Sequence, residues 1–348
     1  MMSRNKILGL GVLLVRLFAV AGPAAAQLQP AEPDPLARLR AAANDQAQVC
    51  TTTAPSACAL ATPKIVASAI GPSPLAENLR LLNTAGGTRM AQVVTWAVAA
   101  FRAAGVDKVH TEQTNVVAEI RGREKPGEFV MLGATLGSEL PGDAPDSACN
   151  AALVIEAARD IRMSGLRPLR SIRFVLFGGE EQPMSDSRTY VRAHRAELDG
   201  AIAAVIFDQG CGRVTGFSLG GRPDIESGVR EAFSVAPVNS WDISRNTFDA
   251  PLRASNFDFL LEGVPNLLPN READKQEAAS GVNLSTLQRN TAVAGVLAFA
   301  LAEHPTPLGP RLSRAGVAAL LQDSGLDEQM KAAGLWPEWE STQRGRQP

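Results

Sequence analysis

Glu180 and Glu181 stand side by side in "FVLFGGEEQPM", at the end of an apolar run. Adjacent carboxylates raise each other's pKa, and a solvated turn needs only one of them. Two more acids occupy comparable places. Asp146 lies in the loop after "EFVMLGAT", and Asp208 closes "AIAAVIFD". Continuous apolar runs of this kind are the pattern of strands covered on both faces. Reactive groups in such sheets collect just beyond the carboxyl ends of central strands. Four carboxylates from three strand ends are therefore expected in one crevice. A divalent metal, or a pair, would relieve their repulsion.

The elements that must position these acids follow from periodicity. "VDKVHTEQ" and "TNVVAEIRG" alternate apolar and polar residues, as half-exposed edge strands do. "EFVMLGAT", "SIRFVLFGG" and "AIAAVIFD" read as central strands. "MAQVVTWAVAAFRAAG", "ACNAALVIEAARDIRMSG", "SRTYVRAHRAEL" and "LSTLQRNTAVAGVLAFALAE" read as helices between and after them. "VPNLLPN" supplies a further strand signal, and "AGVAALLQDSGLDEQMKAAG" a last amphipathic piece. The alternation predicts an α/β fold, a three-layer sandwich with a mostly parallel mixed central sheet and helices on both faces.

The first 26 residues read as a secretory signal. Arg4 and Lys6 precede the apolar "ILGLGVLLV", and "AGPAAAQ" offers an Ala-x-Ala cleavage site. The apolar run, broken by Arg16, is short for a span of about 20 residues, so no stable membrane span is expected after cleavage. A secreted or periplasmic location follows. Without Arg4, Lys6 and Arg16, the 34 basic residues fall to 31 against 36 acidic, a balance of −5. With no basic run, nucleic acid is not an expected partner. Residues 27–74 are rich in Ala, Pro and Thr and read as an N-terminal extension. The main domain is expected over 75–305 and a C-terminal helical tail over 306–348. Cys50 and Cys58 in "CTTTAPSAC" are disulfide candidates in an oxidising compartment. Free thiols are the alternative. Nothing in the sequence sets an oligomeric state.

Roughly residues 75–305 resemble the secreted co-catalytic zinc exopeptidases: bacterial aminopeptidases, carboxypeptidase Q and glutamate carboxypeptidase. The likeness is carried by "NVVAEIRGREKPGEFVMLGA", "IRFVLFGGEEQ", "DQGCGRVTGF" and "SNFDFLLEGVPNL", and is similar above all to the carboxypeptidase Q-like branch. The resemblance implies the zinc exopeptidase fold and two zinc ions about 3.5–4 Å apart that activate a water. It gives Asp146 the role of bridging carboxylate and Glu180 that of general base. Glu181 would be a ligand of one zinc and Asp208 of the other. The implied substrate is a peptide or an aminoacyl small molecule.

The chain departs from that pattern where the family places its zinc histidines. Thr135 and Gly137 stand at the positions of the family's His-x-Asp motif. "VPNLLPNREADKQEAASGVNLSTL", where the other zinc histidine is expected, holds neither His nor Tyr. "DSACN" and "QPMSD" also depart. The only three histidines are His110 on an edge-strand pattern, His194 in a helix and His304 at a helix end. Cys149 and Cys211 each follow an acid by three residues. Thiolate is a good zinc ligand, while two small buried residues or a disulfide between the two loops are the alternatives. An all-carboxylate set holds zinc less well than harder ions such as Mg²⁺, Ca²⁺ or Mn²⁺. The expectation is a metallopeptidase-family protein, inactive or weakly active, with vestigial metal positions Asp146, Glu181 and Asp208. The alternative is an active single-metal or altered-metal hydrolase with Glu180 as base.

Overall fold

The computed structural model describes residues 57–84, 90–137, 144–178, 185–208, 210–234, 241–272 and 282–348. All of these fall in one compact unit, Asp34–Pro348. Three helices come first: α1 (Ala57–Ile70), α2 (Leu75–Thr84) and α3 (Met90–Ala103). Strands β1 (Lys108–Glu112), β2 (Asn115–Ile120) and β3 (Lys125–Gly137) follow, then α4 (Ala144–Met163), β4 (Arg170–Gly178) and α5 (Ser185–Ala193). Next are β5 (Ala201–Phe207), β6 (Arg213–Ser218), α6 (Glu226–Ala232), α7 (Phe257–Leu261) and β7 (Asn266–Glu272). The chain ends with α8 (Leu284–Glu303), α9 (Arg314–Asp323), α10 (Leu326–Ala332) and α11 (Trp336–Glu340).

The seven strands form one mixed sheet in the order β1-β2-β4-β3-β5-β7-β6. Its centre, β4-β3-β5-β7, is parallel, and β1, β2 and β6 join antiparallel to their inner neighbours. Side chains alternate between faces, as a strand's period of two requires. Ile172, Phe174 and Leu176 of β4 meet α1, α3, α4 and α8 in the larger core. Val175 and Phe177 turn to the other face, against Tyr190 and Val191 of α5 and Phe259 of α7. Helix α8 begins where Asn283 caps it, its Oδ1 accepting from the Ser285 and Thr286 amides.

Two expectations differ from the structure, and one strand was unforeseen. β2 is not a half-exposed edge: all its residues except Glu119 are buried, because β1 pairs along its outer side. The alternation in "TNVVAEIRG" thus leaves only Glu119 of this strand half-buried. The extension expected over 27–74 ends in α1, whose Ala61, Ile65, Val66 and Ala69 lie in the main core. Their spacing is helical, but the Ala/Thr/Pro composition conceals it. The edge strand β6 was not anticipated, since "RVTGFS" is short and carries Gly216. That glycine is required, because a Cβ there would lie 2.1 Å from the Arg245 carbonyl oxygen.

Beyond Pro305 the chain docks on the domain. Val317, Leu321, Met330 and Trp339 bury against Phe257, Leu260 and Leu261. Arg344 makes a two-pronged bond to Asp258, at 2.7 and 3.1 Å, with both side chains at most 4% exposed.

Candidate active site

The carboxyl ends of β3, β4 and β5 finish level with one another. Thr135 pairs with Phe177, Gly137 with Gly178, and Ala134 with Phe207. Asp208 is the residue after β5, so it sits beside Thr135. The Thr135 hydroxyl donates to Asp208 Oδ1 at 2.8 Å. The Ser255 backbone N–H donates to Asp208 Oδ2 at 2.6 Å. Both carboxylate oxygens are therefore bound by protein donors.

Gly178 ends β4 two residues before Glu180. Its N–H donates to Asn115 Oδ1 at 3.1 Å, and its carbonyl accepts from Thr114 Oγ1 at 2.7 Å. A Cβ at this position would lie 2.3 Å from the Thr114 carbonyl oxygen. Glycine is needed here so that the strand can leave beneath the β1–β2 turn. Glu180 and Glu181 themselves lie outside the described residues. Asp146 sits in the first turn of α4 rather than in a loop, and its side chain also lies outside them.

Cys149 and Cys211 form a disulfide, with Cα atoms 6.0 Å apart across 62 residues of sequence. It ties α4, three residues past Asp146, to the loop three residues past Asp208. Ligation of a metal by these sulfurs as thiolates is therefore excluded in the oxidised protein, and the disulfide alternative is the correct one. The pairing expected for Cys50 and Cys58 falls outside the described side chains.

Each of the three histidines is engaged elsewhere. His110 Nε2 lies 2.8 Å from Glu112 Oε1, and His194 Nε2 lies 2.5 Å from Glu112 Oε2. His194 Nδ1 faces Glu197 at 3.2 Å, and its ring stacks on Tyr190. Burial disfavours the Glu112 charge, yet the bonds to His194 and His110 hold its carboxyl below the usual range. This group occupies the β1 edge, four strands from β5 and thus roughly 19 Å away at ordinary strand spacing. His304 lies at the opposite end of the sheet, where its carbonyl accepts from Arg170 at the start of β4.

The sequence pattern did not single out a cation that packs against the loop after β5. Arg271, at the end of β7, donates through Nη2 to Asn150 Oδ1 at 2.5 Å and through Nη1 to the Gly212 carbonyl at 3.2 Å. Its guanidinium carbon lies 5.5 Å from the centre of the Phe207 ring. Ser255 and Asn150 were likewise missed. All three reach the crevice from segments distant in sequence, and no local motif marks them.

No group of three or more His, Cys, Asp or Glu that could hold a metal occurs among the described residues. The donor chemistry agrees. Each Asp208 oxygen already accepts one protein donor, the sulfurs are joined, and none of the three imidazoles reaches these strand ends. The described residues do not fit a zinc pair.

Comparison with known proteins places this geometry. Residues 115–238 match the model of peptidase family M28. That segment holds Thr135, Asp146, Glu180, Glu181 and Asp208. Over that segment the chain is similar to the M28 peptidases. Carboxypeptidase Q of Rattus norvegicus is 31% identical over 157 residues, 44% of this chain and 32% of the rat protein. Carboxypeptidase Q of Homo sapiens is 30% identical over 131 residues, 37% and 28% of the two chains. The chain thus spans about a third of the length of the curated relatives it matches. Among solved structures, the peptidase M28 precursor of Shewanella amazonensis superposes with a TM-score of 0.51 at 26% identity, over 57% of this chain and 46% of that one. LapB of Legionella pneumophila gives 0.55 at 18% identity, over 70% and 75%. The α/β fold of the M28 peptidases is therefore the fold of this chain.

Proposed function

We propose that this chain is an M28-type exopeptidase fold in which the zinc chemistry has been given up, leaving a peptide- or aminoacyl-binding crevice with little or no turnover. The hydrogen bond from Thr135 to Asp208 carries the reading. At the place where the resemblance puts a zinc histidine, a hydroxyl proton takes up the carboxylate instead. Losing even an outer partner of a metal ligand typically costs about 10–100-fold in affinity or activity. Losing both imidazoles costs more, and nothing described replaces them.

A secreted or periplasmic location is part of the proposal. The buried Cys149–Cys211 disulfide supports it, because such bonds persist in oxidising compartments. The signal-like first 26 residues support it independently. Among the described residues, no helix is long and apolar enough to cross a membrane.

Turnover tests the reading. The purified chain is assayed on aminoacyl and dipeptide substrates with added Zn²⁺ or Mn²⁺, beside Glu180→Gln. The expected result is no turnover above background in either protein. Metal-dependent turnover abolished by Glu180→Gln would overturn it in favour of an altered-metal hydrolase with Glu180 as general base.

A further inference from the structure

Two carboxylates of α4 lie in the core, well away from the crevice. Glu156 and Asp160 are each 0% exposed. Asp160 is roughly 21 Å along the helix from Asp146, at the ordinary rise per residue. Positions four apart share a helix face, so the two acids point the same way. Arg159 binds one oxygen of each. Its Nε lies 2.7 Å from Glu156 Oε1, and its Nη2 lies 3.2 Å from Asp160 Oδ1. The Ser68 hydroxyl of α1 also donates to Asp160 Oδ1, at 2.6 Å. The other two oxygens, Glu156 Oε2 and Asp160 Oδ2, are buried with no donor among the described residues.

Charge counting shows what these oxygens need. Two carboxylates and one guanidinium leave a net charge of −1 out of reach of water, which is costly. Among the described residues, the other charged groups on the elements packed against α4 are exposed or engaged elsewhere. On α1, Lys64 donates to the Ser164 carbonyl. On α2, Glu77 and Arg80 are exposed and pair with each other, and Arg102 of α3 is exposed. On α8, Arg289 is held by the Val214 and Trp241 carbonyls and Glu303 by Arg123. In the sheet, Lys125 and Arg170 pair with Glu128, and Arg173 lies over Phe129 on the other face. Arg162 of α4 itself pairs with Asp107. One proton would neutralise the group, and two unpartnered oxygens are there to hold it. Burial and the charge of Glu156 act in the same sense, pushing the Asp160 carboxyl up to about 8.

We propose that Glu156 and Asp160 hold one proton between Oε2 and Oδ2, and that this proton fastens α1 to the domain. α1 is the cover over the pair. Its Ala61, Ile65, Val66 and Ala69 close the core, and a Cβ on Gly295 of α8 would lie 2.9 Å from Ile65 Cγ2. Ser68 bonds Asp160 through its hydroxyl, and its carbonyl accepts from Arg159 at 3.3 Å. When α1 lifts, water reaches the pair, the proton passes to solvent and both carboxylates ionise. Docking of α1 is therefore strongest below about pH 4 and weakens as pH rises to about 8. The inference goes beyond the proposed function and does not depend on it.

Hydrogen exchange of the full, oxidised chain between pH 5 and 7.5 tests it, each amide rate being divided by that of an unstructured chain at the same pH. Asp160→Asn and Glu156→Gln are compared with wild type. Each puts an amide donor where the proton sits and leaves one carboxylate beside Arg159. In the wild type, α1 amides are expected to be less protected than those of β4 and to lose protection about 10-fold per pH unit, one proton per opening. In either variant that dependence is expected to vanish, and if one variant does not fold the other carries the comparison. An undiminished slope in a folded variant would overturn the shared proton. Protection of α1 equal to that of β4 in the wild type would overturn its release as a unit. A wild type without the slope would overturn both.

Discussion

Asp208 is where the chemistry of this crevice is decided. A half-buried carboxylate can be satisfied by a metal or by protons, and here Thr135 and Ser255 supply protons to its two oxygens. Removing the hydroxyl leaves one oxygen short of a donor. Thr135→Val should therefore cost about 1–2 kcal/mol of stability, the usual penalty for an unpaired polar group, read from the urea unfolding midpoint. An unchanged midpoint would show that the bond adds nothing. A second residue reports on pH. Asp160 of α4 lies buried beneath α1, taking the Ser68 hydroxyl at 2.6 Å. Burial first, and then the charge of Glu156, push its carboxyl up from 3.8 to about 8. The folded state thus holds a proton that the unfolded chain releases. The associated stability is fully present below about pH 4 and is lost as pH rises to about 8. Asp160→Asn should flatten that decline in melting temperatures measured between pH 4.5 and 8. An equally steep decline in the variant would refute the assignment.

At the scale of elements, the crevice is held by strand ends and one covalent bond. The three central strands were legible in the sequence because burial on both faces writes itself as uninterrupted apolar residues. The scarcity of histidine was legible too: the chain has only three, and each is engaged away from these strand ends. What could not be read is contact between distant segments. Nothing local to Cys149 announces Cys211 62 residues away, and nothing local to Arg271 announces Asn150. α1 was hidden by composition, and β2 was misjudged because partial burial and edge exposure give the same alternation. The disulfide has a measurable consequence. Closing a loop of this length restricts the unfolded chain by roughly 4 kcal/mol. Cys149→Ser with Cys211→Ser should lower the urea midpoint accordingly, and dithiothreitol should lower the wild type but not the double variant. A wild type indifferent to reduction would contradict the bond's role.

The described residues form one sheet covered on both faces, with the segment beyond Pro305 folded back onto α7. The hold depends on a buried ion pair, Arg344 with Asp258. Such a pair adds little over an apolar contact, but removing one partner strands a charge and costs about 3–5 kcal/mol. Arg344→Met should therefore destabilise the protein by that order, with Asp258→Asn added to it restoring part of the loss. Proteolysis beyond Pro305 should appear in the single variant and fade in the double. Equal proteolysis of both would show that packing by Trp339 and its neighbours, and not the pair, secures the tail. These terms share one frame: an α/β fold like that of the M28 peptidases, held by a disulfide and a docked tail, with the Asp208 carboxylate taken up by hydrogen bonds. Zinc content tests that frame most directly. The purified, oxidised chain is equilibrated with excess ZnCl₂, passed through gel filtration and measured by elemental analysis. The account predicts far less than one zinc per chain. One or two zinc ions retained per chain would contradict it.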